Sequence, residues 1–269
     1  LVNMLFGRAR WLSAFAFALV ALSVLLGGHK VAVDPNFPDH TPYIGLDWFI
    51  LDLLGSALIF IFIEKLFALR KDQPVFRPEW QTDLHHFIVN HMLIGFMLLA
   101  TNLLVHKLFG WAAVDGVRGW VAALPFWAAL PLLVLAADLV QYWTHRAYHE
   151  VPLLWRLHAV HHSVKSMDWM AGSRQHILEL LITRTLVLAP IYVLGFAKEV
   201  IDAYIIIVGF QAVFNHCNVS VRLGPLRHVV VTPNFHHWHH SQDQEALDRN
   251  YAAHFAFLDH LFGTAVQSG

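Results

Sequence analysis

Charge is scarce in this chain. Asp, Glu, Lys and Arg make up 14% of its 269 residues, against roughly 25% in an average soluble domain. Hydrophobic residues reach 57%, and that imbalance points to a membrane protein. A formal net charge of −1 offers nothing to attract nucleic acid, so no nucleic-acid partner is expected. The single cysteine, Cys217, excludes an internal disulfide. It also excludes a cysteine-held iron–sulfur cluster or zinc ribbon within the chain. No G-x-G-x-x-G stretch marks a flavin or nicotinamide site, and no C-x-x-C-H marks a covalently attached haem. Any redox chemistry here must draw its electrons from outside the chain.

Four apolar stretches are long enough to cross a bilayer, which takes about 20 residues of helix. They are Trp11–Gly28, Trp48–Leu69, His86–Phe109 and Trp120–Trp143. The first follows Arg8 and Arg10 as a signal peptide would. Its length and the lack of a small-x-small cleavage site mark it as a retained helix. Arg8 and Arg10 precede the first stretch, and Arg70, Lys71 and Arg77 lie between the second and third. Lys30, Lys107 and Arg118 accompany the opposite loops. The positive-inside rule then puts the N-terminus and everything after the fourth span in the cytoplasm, with a bacterial inner membrane as the expected location. Two later apolar stretches, Ile177–Phe196 and Val200–Phe214, read as a membrane-embedded or interfacial hairpin. The first carries Glu179, Arg184 and Pro190, and the second is short. The expected architecture is an all-α integral membrane protein. Transmembrane helices occupy 1–130, and a histidine-rich helical cytoplasmic cap with a di-metal site falls within 131–269.

What the chain has in excess is histidine. Fourteen of its 20 histidines lie from His145 to His260. "DLVQYWTHRAYHE" spaces His145 and His149 four apart. "LHAVHHS" holds His158, His161 and His162, and "TPNFHHWHHS" repeats that spacing at His236, His239 and His240. On a helix, positions i, i+3 and i+4 share an arc of about 100°. Each set is thus expected to converge on a common point. His237 falls outside the arc and is expected to support the site rather than bind metal. Eight convergent histidines exceed the four ligands that satisfy one zinc ion, so two metals are implied. Imidazole suits iron, copper, nickel and zinc. His29, His40, His106, His228 and His260 lack this spacing and read as structural or surface residues. His85, His86 and His91 read as non-ligands.

With these motifs in view, the chain resembles the fatty acid hydroxylase superfamily, which includes sterol desaturases and sphingolipid hydroxylases. The family pattern of HxxxH, HxxHH and a later HxxHH matches the three sets above. "GSRQHILE" (172–179) resembles its R-x-H-P-x-E segment, and "FNHCNV" (214–219) its N-H-x-N segment. The resemblance thereby makes His176 and His216 further ligands. "NYAAHFAFLDHLFGT" (250–264) looks like the family's closing stretch. The likeness covers roughly Asp138 to Thr264. Ile177, Ala252 and Leu258 replace the family's proline, glycine and tryptophan, and Phe235 and His237 alter the third box. These departures leave the ligand count intact and give no support to a sterol substrate.

The resemblance implies a membrane-bound non-haem di-iron oxygenase with two iron ions, zinc being possible in purified protein, and O2 as co-substrate. Such an enzyme hydroxylates or desaturates an unactivated C–H position of a lipid, using two external electrons. A ferredoxin or a cytochrome b5-like partner with its reductase would deliver them on the cytoplasmic face. Sterol, fatty acyl, ether-lipid and amino-acid-lipid substrates all fit a membrane-facing site. Asp138, seven residues before His145, is placed to orient a ligand or a neighbouring tyrosine, or equally to pair with an arginine near the helix end. Glu179 is placed to accept the ring N–H of His176. The competing readings are a bis-histidine b-type cytochrome, a histidine-rich metal transporter and a zinc-dependent membrane hydrolase.

Overall fold

The computed structural model describes residues 46–266, together with isolated helical positions between 14 and 25. The chain divides into two units, Leu1–Leu51 and Asp52–Gly269, and the features below lie in the second. Ten α-helices follow one another among the described residues: α1 (Leu46–Leu66), α2 (Trp80–Met92), α3 (Ile94–Phe109), α4 (Asp115–Ala122), α5 (Phe126–Glu150), α6 (Pro152–His158), α7 (Ile177–Leu194), α8 (Lys198–His216), α9 (Pro233–His239) and α10 (Phe257–Phe262). The β-structure among these residues is one isolated bridge between Ala68 and Val219.

The central helix is α5. Its buried positions Ala129, Leu133, Ala137, Asp138, Tyr142, His145 and Tyr148 follow an i, i+3, i+4 pattern, which gives it one inward stripe. The upper part of that stripe is apolar. It packs with Val121 of α4, Ile191 of α7, and Val200 and Tyr204 of α8. The lower part carries Tyr142, which packs with Phe235, Tyr251 and Leu258. On the opposite face Trp127, Leu132, Leu135 and Leu139 are exposed. An inner face that turns polar from Asp138 onward, with an apolar outer face, suits a helix whose outer face meets lipid.

Two of these helices, α5 and α7, are long and apolar enough to cross a membrane, and the pair α2–α3 adds a third if counted as one bent span. The pair is bent by 60°, with Leu93 between its two helices. The expected span His86–Phe109 is therefore broken. Of the other expected spans, Trp11–Gly28 lies largely outside the described residues, and Trp48–Leu69 corresponds to α1, which carries Asp47, Asp52, Glu64 and Lys65. Contrary to the expectation from sequence, α7 is itself long and apolar enough for a full crossing, and with α8 it forms the expected hairpin. The hairpin turns at Gly195, whose φ of 69° closes α7 in the left-handed region that favours glycine.

Candidate metal centre

Five structural pieces deliver the histidines. The last turns of α5 present His145 and His149. Pro152 at the first turn of α6 restarts the helix after the extended Val151 and ends it at His158. A 3-10 turn follows over His161–Ser163. His216 closes α8. Thr232 caps α9 by accepting the Phe235 N–H, and Pro233 opens the helix, which carries His236 and His239 with His240 at its end.

The rings gather into two groups. His145, His149, His158, His162 and His239 form one, and His161, His216, His236 and His240 form the other. Within each, one ligand atom per residue lies within 4.8 Å of all the rest. The groups adjoin, with the rings of His162 and His240 stacked at 4.3 Å across the boundary. Each HxxHH box is thus split between the groups, not aimed at one point as its spacing suggests. In the first box α6 ends at His158, so the 3-10 turn sets His161 apart. In the second, residues 239 and 240 sit about 100° apart around α9, wide enough to address two neighbouring centres.

The hydrogen bonds fix which nitrogen faces inward. The Nδ1 of His161 donates to Arg174 O at 3.1 Å, and that of His216 to Ala212 O at 2.8 Å. A carbonyl only accepts, so each proton sits on Nδ1 and each Nε2 is a bare lone pair. Those two Nε2 atoms are 3.1 Å apart. Two lone pairs cannot bond to one another; a cation between them resolves the contact. Two nitrogens at about 2.1 Å from one ion and at right angles would be about 3.0 Å apart. His145 Nδ1 donates to Tyr251 O at 2.7 Å and His239 Nδ1 to Arg249 O at 2.6 Å. Their Nε2 atoms lie 3.0 Å from those of His158 and His162, respectively. The donor set therefore fits metal ions. Burial, and then the neighbouring imidazoles, hold His158, His161, His162, His236, His239 and His240 well below the usual histidine value. They are neutral near pH 7, as ligands must be.

Supporting residues surround the rings. Glu179 of α7 accepts from His158 Nδ1 at 2.7 Å, so its partner is His158 and not the expected His176. His176 is in neither group. It caps α7, its Nδ1 accepting the Leu178 N–H at 3.1 Å. His237 faces away from both groups, its Nε2 lying 3.2 Å from His216 O. Asp138 meets neither a tyrosine hydroxyl nor an arginine. It accepts the backbone N–H groups of Ala253, His254 and Phe255. Asp259 does the same for Tyr251 and Ala252. Two buried carboxylates thus clamp the segment whose Tyr251 carbonyl orients His145. Below the second group Arg174 pairs with Asp83 at 2.6 Å and Glu79 at 3.1 Å, while Arg77 joins Asp83 and Asp168. This buried ion network fixes the carbonyl that orients His161.

Spacing did not reveal the orienting carbonyls of Arg174, Ala212, Arg249 and Tyr251, because any residue supplies one. Asp248, at 3.1 Å from His149 Nδ1 with a φ of 55°, was missed as well. A cavity of about 300 Å³ opens onto the five-histidine group, lined by His149, Trp155, His162, His239, Leu247 and Asp248 among others.

Comparison with known proteins converges on the same segment. The model of the family described as fatty acid hydroxylase matches residues 130–264, a span that holds all nine clustered histidines. An ornithine lipid hydroxylase of Rhizobium tropici is 34% identical over 54% of this chain and 44% of its own length. The human alkylglycerol monooxygenase is 31% identical over 48% of this chain and 29% of its own. A very-long-chain aldehyde decarbonylase of rice is 26% identical over 59% and 27%. The chain thus spans less than half the length of these relatives. No solved structure matches. With its histidine boxes and the segments between them inside the matched span, the chain belongs to the fatty acid hydroxylase family.

Proposed function

We propose that this protein is a membrane-bound di-iron oxygenase that hydroxylates or desaturates an unactivated C–H position of a lipid. One observation carries the reading: nine neutral histidines, six buried and three partly buried, converge in two adjoining groups, and the outer nitrogens of His145, His161, His216 and His239 are already committed to backbone carbonyls. In this reading His145, His149, His158, His162 and His239 hold one iron, and His161, His216, His236 and His240 hold the other. The pair of irons, when bound, supplies the reductive activation of O2. The chain's own residues do the rest. Glu179 and the four carbonyls lock ring orientation, so the ligands lose little freedom on binding. Burial excludes water from the reacting position. In this reading the lipid enters by the cavity beside His149 and Trp155, which opens onto the five-histidine group.

The substrate class follows from the relatives, whose names describe enzymes of an ornithine lipid and of alkylglycerol. A lipid with a polar head and a long chain fits a site at the membrane-proximal ends of α5 and α7. The electrons come from an external ferredoxin or cytochrome b5-like donor, and the catalytic region faces the cytoplasm by the positive-inside reading. The test is iron-loaded protein given a chemical reductant, labelled O2 and a bacterial lipid extract. The expected product gains one labelled oxygen atom or loses two hydrogens. Iron-loaded protein that consumes no O2 under any reductant, or zinc-loaded protein that hydrolyses the same lipids, would overturn the assignment.

A further inference from the structure

A second cavity of about 300 Å³ lies at the far end of α7 from the metal centre. Glu179 in the first turn of α7 supports His158, whereas Tyr192 and Gly195 at its other end line this cavity. Eighteen residues of helix rise about 27 Å, close to the roughly 30 Å hydrocarbon core of a bilayer. With α7 taken as a membrane span, the cavity sits towards the opposite membrane surface. Trp111 and Trp120, 84% and 64% exposed, lie in the α3–α4 segment at the same end, as aromatic residues do at an interface.

The wall of this cavity is mainly apolar: Val105, Leu188, Ile191 and Phe196. Three polar side chains break it, Arg118, Asn102 and Tyr192. Arg118 is held in place. Its stem crosses Gly195 so closely that a Cβ there would stand 2.8 Å from its Nε and 2.9 Å from its own Cβ. Its guanidinium lies 5.6 Å from the centroid of the Tyr192 ring. The Tyr192 hydroxyl is in turn fixed at 2.9 Å from His106 Nδ1. Among the described residues no carboxylate or carbonyl answers the guanidinium, and none answers the Asn102 amide. At a membrane surface a cation without a protein counter-charge attracts anionic headgroups, and a planar guanidinium matches the oxygens of a phosphate.

We propose that this cavity binds the phosphate of an anionic phospholipid in the leaflet opposite the metal centre. Arg118 grips the phosphodiester, Asn102 donates to it, and the start of an acyl chain lies along Leu188 and Phe196. A soluble phosphate would satisfy Arg118 and leave the apolar wall uncovered, which favours an amphiphile. The site is separate from the proposed oxygenase chemistry and stands without it.

Native mass spectrometry of the full chain in detergent tests this, with phosphatidylglycerol, phosphatidylcholine and inorganic phosphate as separate probes. Wild-type protein should retain phosphatidylglycerol at least about fivefold better than phosphatidylcholine. Arg118→Gln should abolish the preference while metal content stays normal, and Arg118→Lys should keep part of it. Equal retention of the two lipids by wild type would overturn the proposal, whether or not the Gln variant can be purified. So would an unchanged preference in Arg118→Gln, or binding of inorganic phosphate without the lipid.

Discussion

His162 Nε2 lies 3.0 Å from His239 Nε2, while the ring of His240, the next residue in the chain, stacks on His162 at 4.3 Å and belongs to the other group. Adjacent residues of one box thus serve different centres. His239→Ala and His240→Ala are expected to empty different sites. Each should lower metal content from about two ions per chain to about one, and the double variant should lower it further. Metal analysis of the three proteins checks this; loss of both ions from either single variant would mean one shared centre.

Of the ten histidines expected as ligands, His176 stands apart from both groups, as does His237, which was expected to support the site and not to bind. His176 caps a helix and His237 contacts a carbonyl. His237→Gln should leave metal content near normal. His176→Ser, which retains a capping oxygen, should do the same. His239→Gln should not. Thermal unfolding of the first two should shift by no more than about 1 kcal/mol equivalent.

Glu179 accepts the His158 ring N–H at 2.7 Å. Glu179→Gln keeps an acceptor oxygen there and should retain most of the metal. Glu179→Leu removes it, and loss of such a partner lowers metal affinity about 10- to 100-fold. Competition with a calibrated chelator reads the difference, and equal affinities in the two variants would remove Glu179 from the site's support.

Asp138 is fully buried and accepts three backbone N–H groups. Asp138→Ala leaves those donors without a partner, at about 1–3 kcal/mol for each buried unsatisfied group. Lower thermal stability and weakened metal binding should appear together, because the freed segment carries the Tyr251 carbonyl that orients His145. Intact metal affinity in a destabilised Asp138→Ala would show that the segment does not position the ligand.

Proton linkage gives a further expectation for protein stripped of metal. Burial lowers the pKa of His216 to about 4 and holds His161, His236 and His240 well below the usual value. In the unfolded chain these groups titrate near 6.5. Below that pH the unfolded state takes up protons that the folded state refuses, so stability falls as pH drops from about 6.5 towards 4. Above about pH 7 these histidines are unprotonated in both states and their contribution is flat. Melting of the stripped protein between pH 4.5 and 8 checks the sign; a rise in stability on acidification would contradict it.

The histidine boxes were legible because imidazole is uncommon and its spacing here is that of a helix face. Their division was not, since it depends on where α6 stops and a 3-10 turn begins at His161. The partner of Glu179 was misplaced because sequence proximity favoured His176, whereas the fold lays α7 against α6. Asp138 was noticed for its position in an apolar helix, but its true partners are backbone groups more than 110 residues away. The closing segment from Asn250 to Thr264 did carry a signal. Its Tyr251, Asp259 and Thr264 are the residues that build the clamp. Among the described residues, the break at Leu93 interrupts a continuous apolar run that hydropathy alone reads as one span.

The division of nine histidines into a five-ligand and a four-ligand centre is tested most directly by Mössbauer spectroscopy of protein loaded with isotopically enriched iron. Two ferrous sites of equal area, at about two irons per chain, are predicted, and both should change when O2 is admitted. A single iron environment at about one iron per chain would contradict the account.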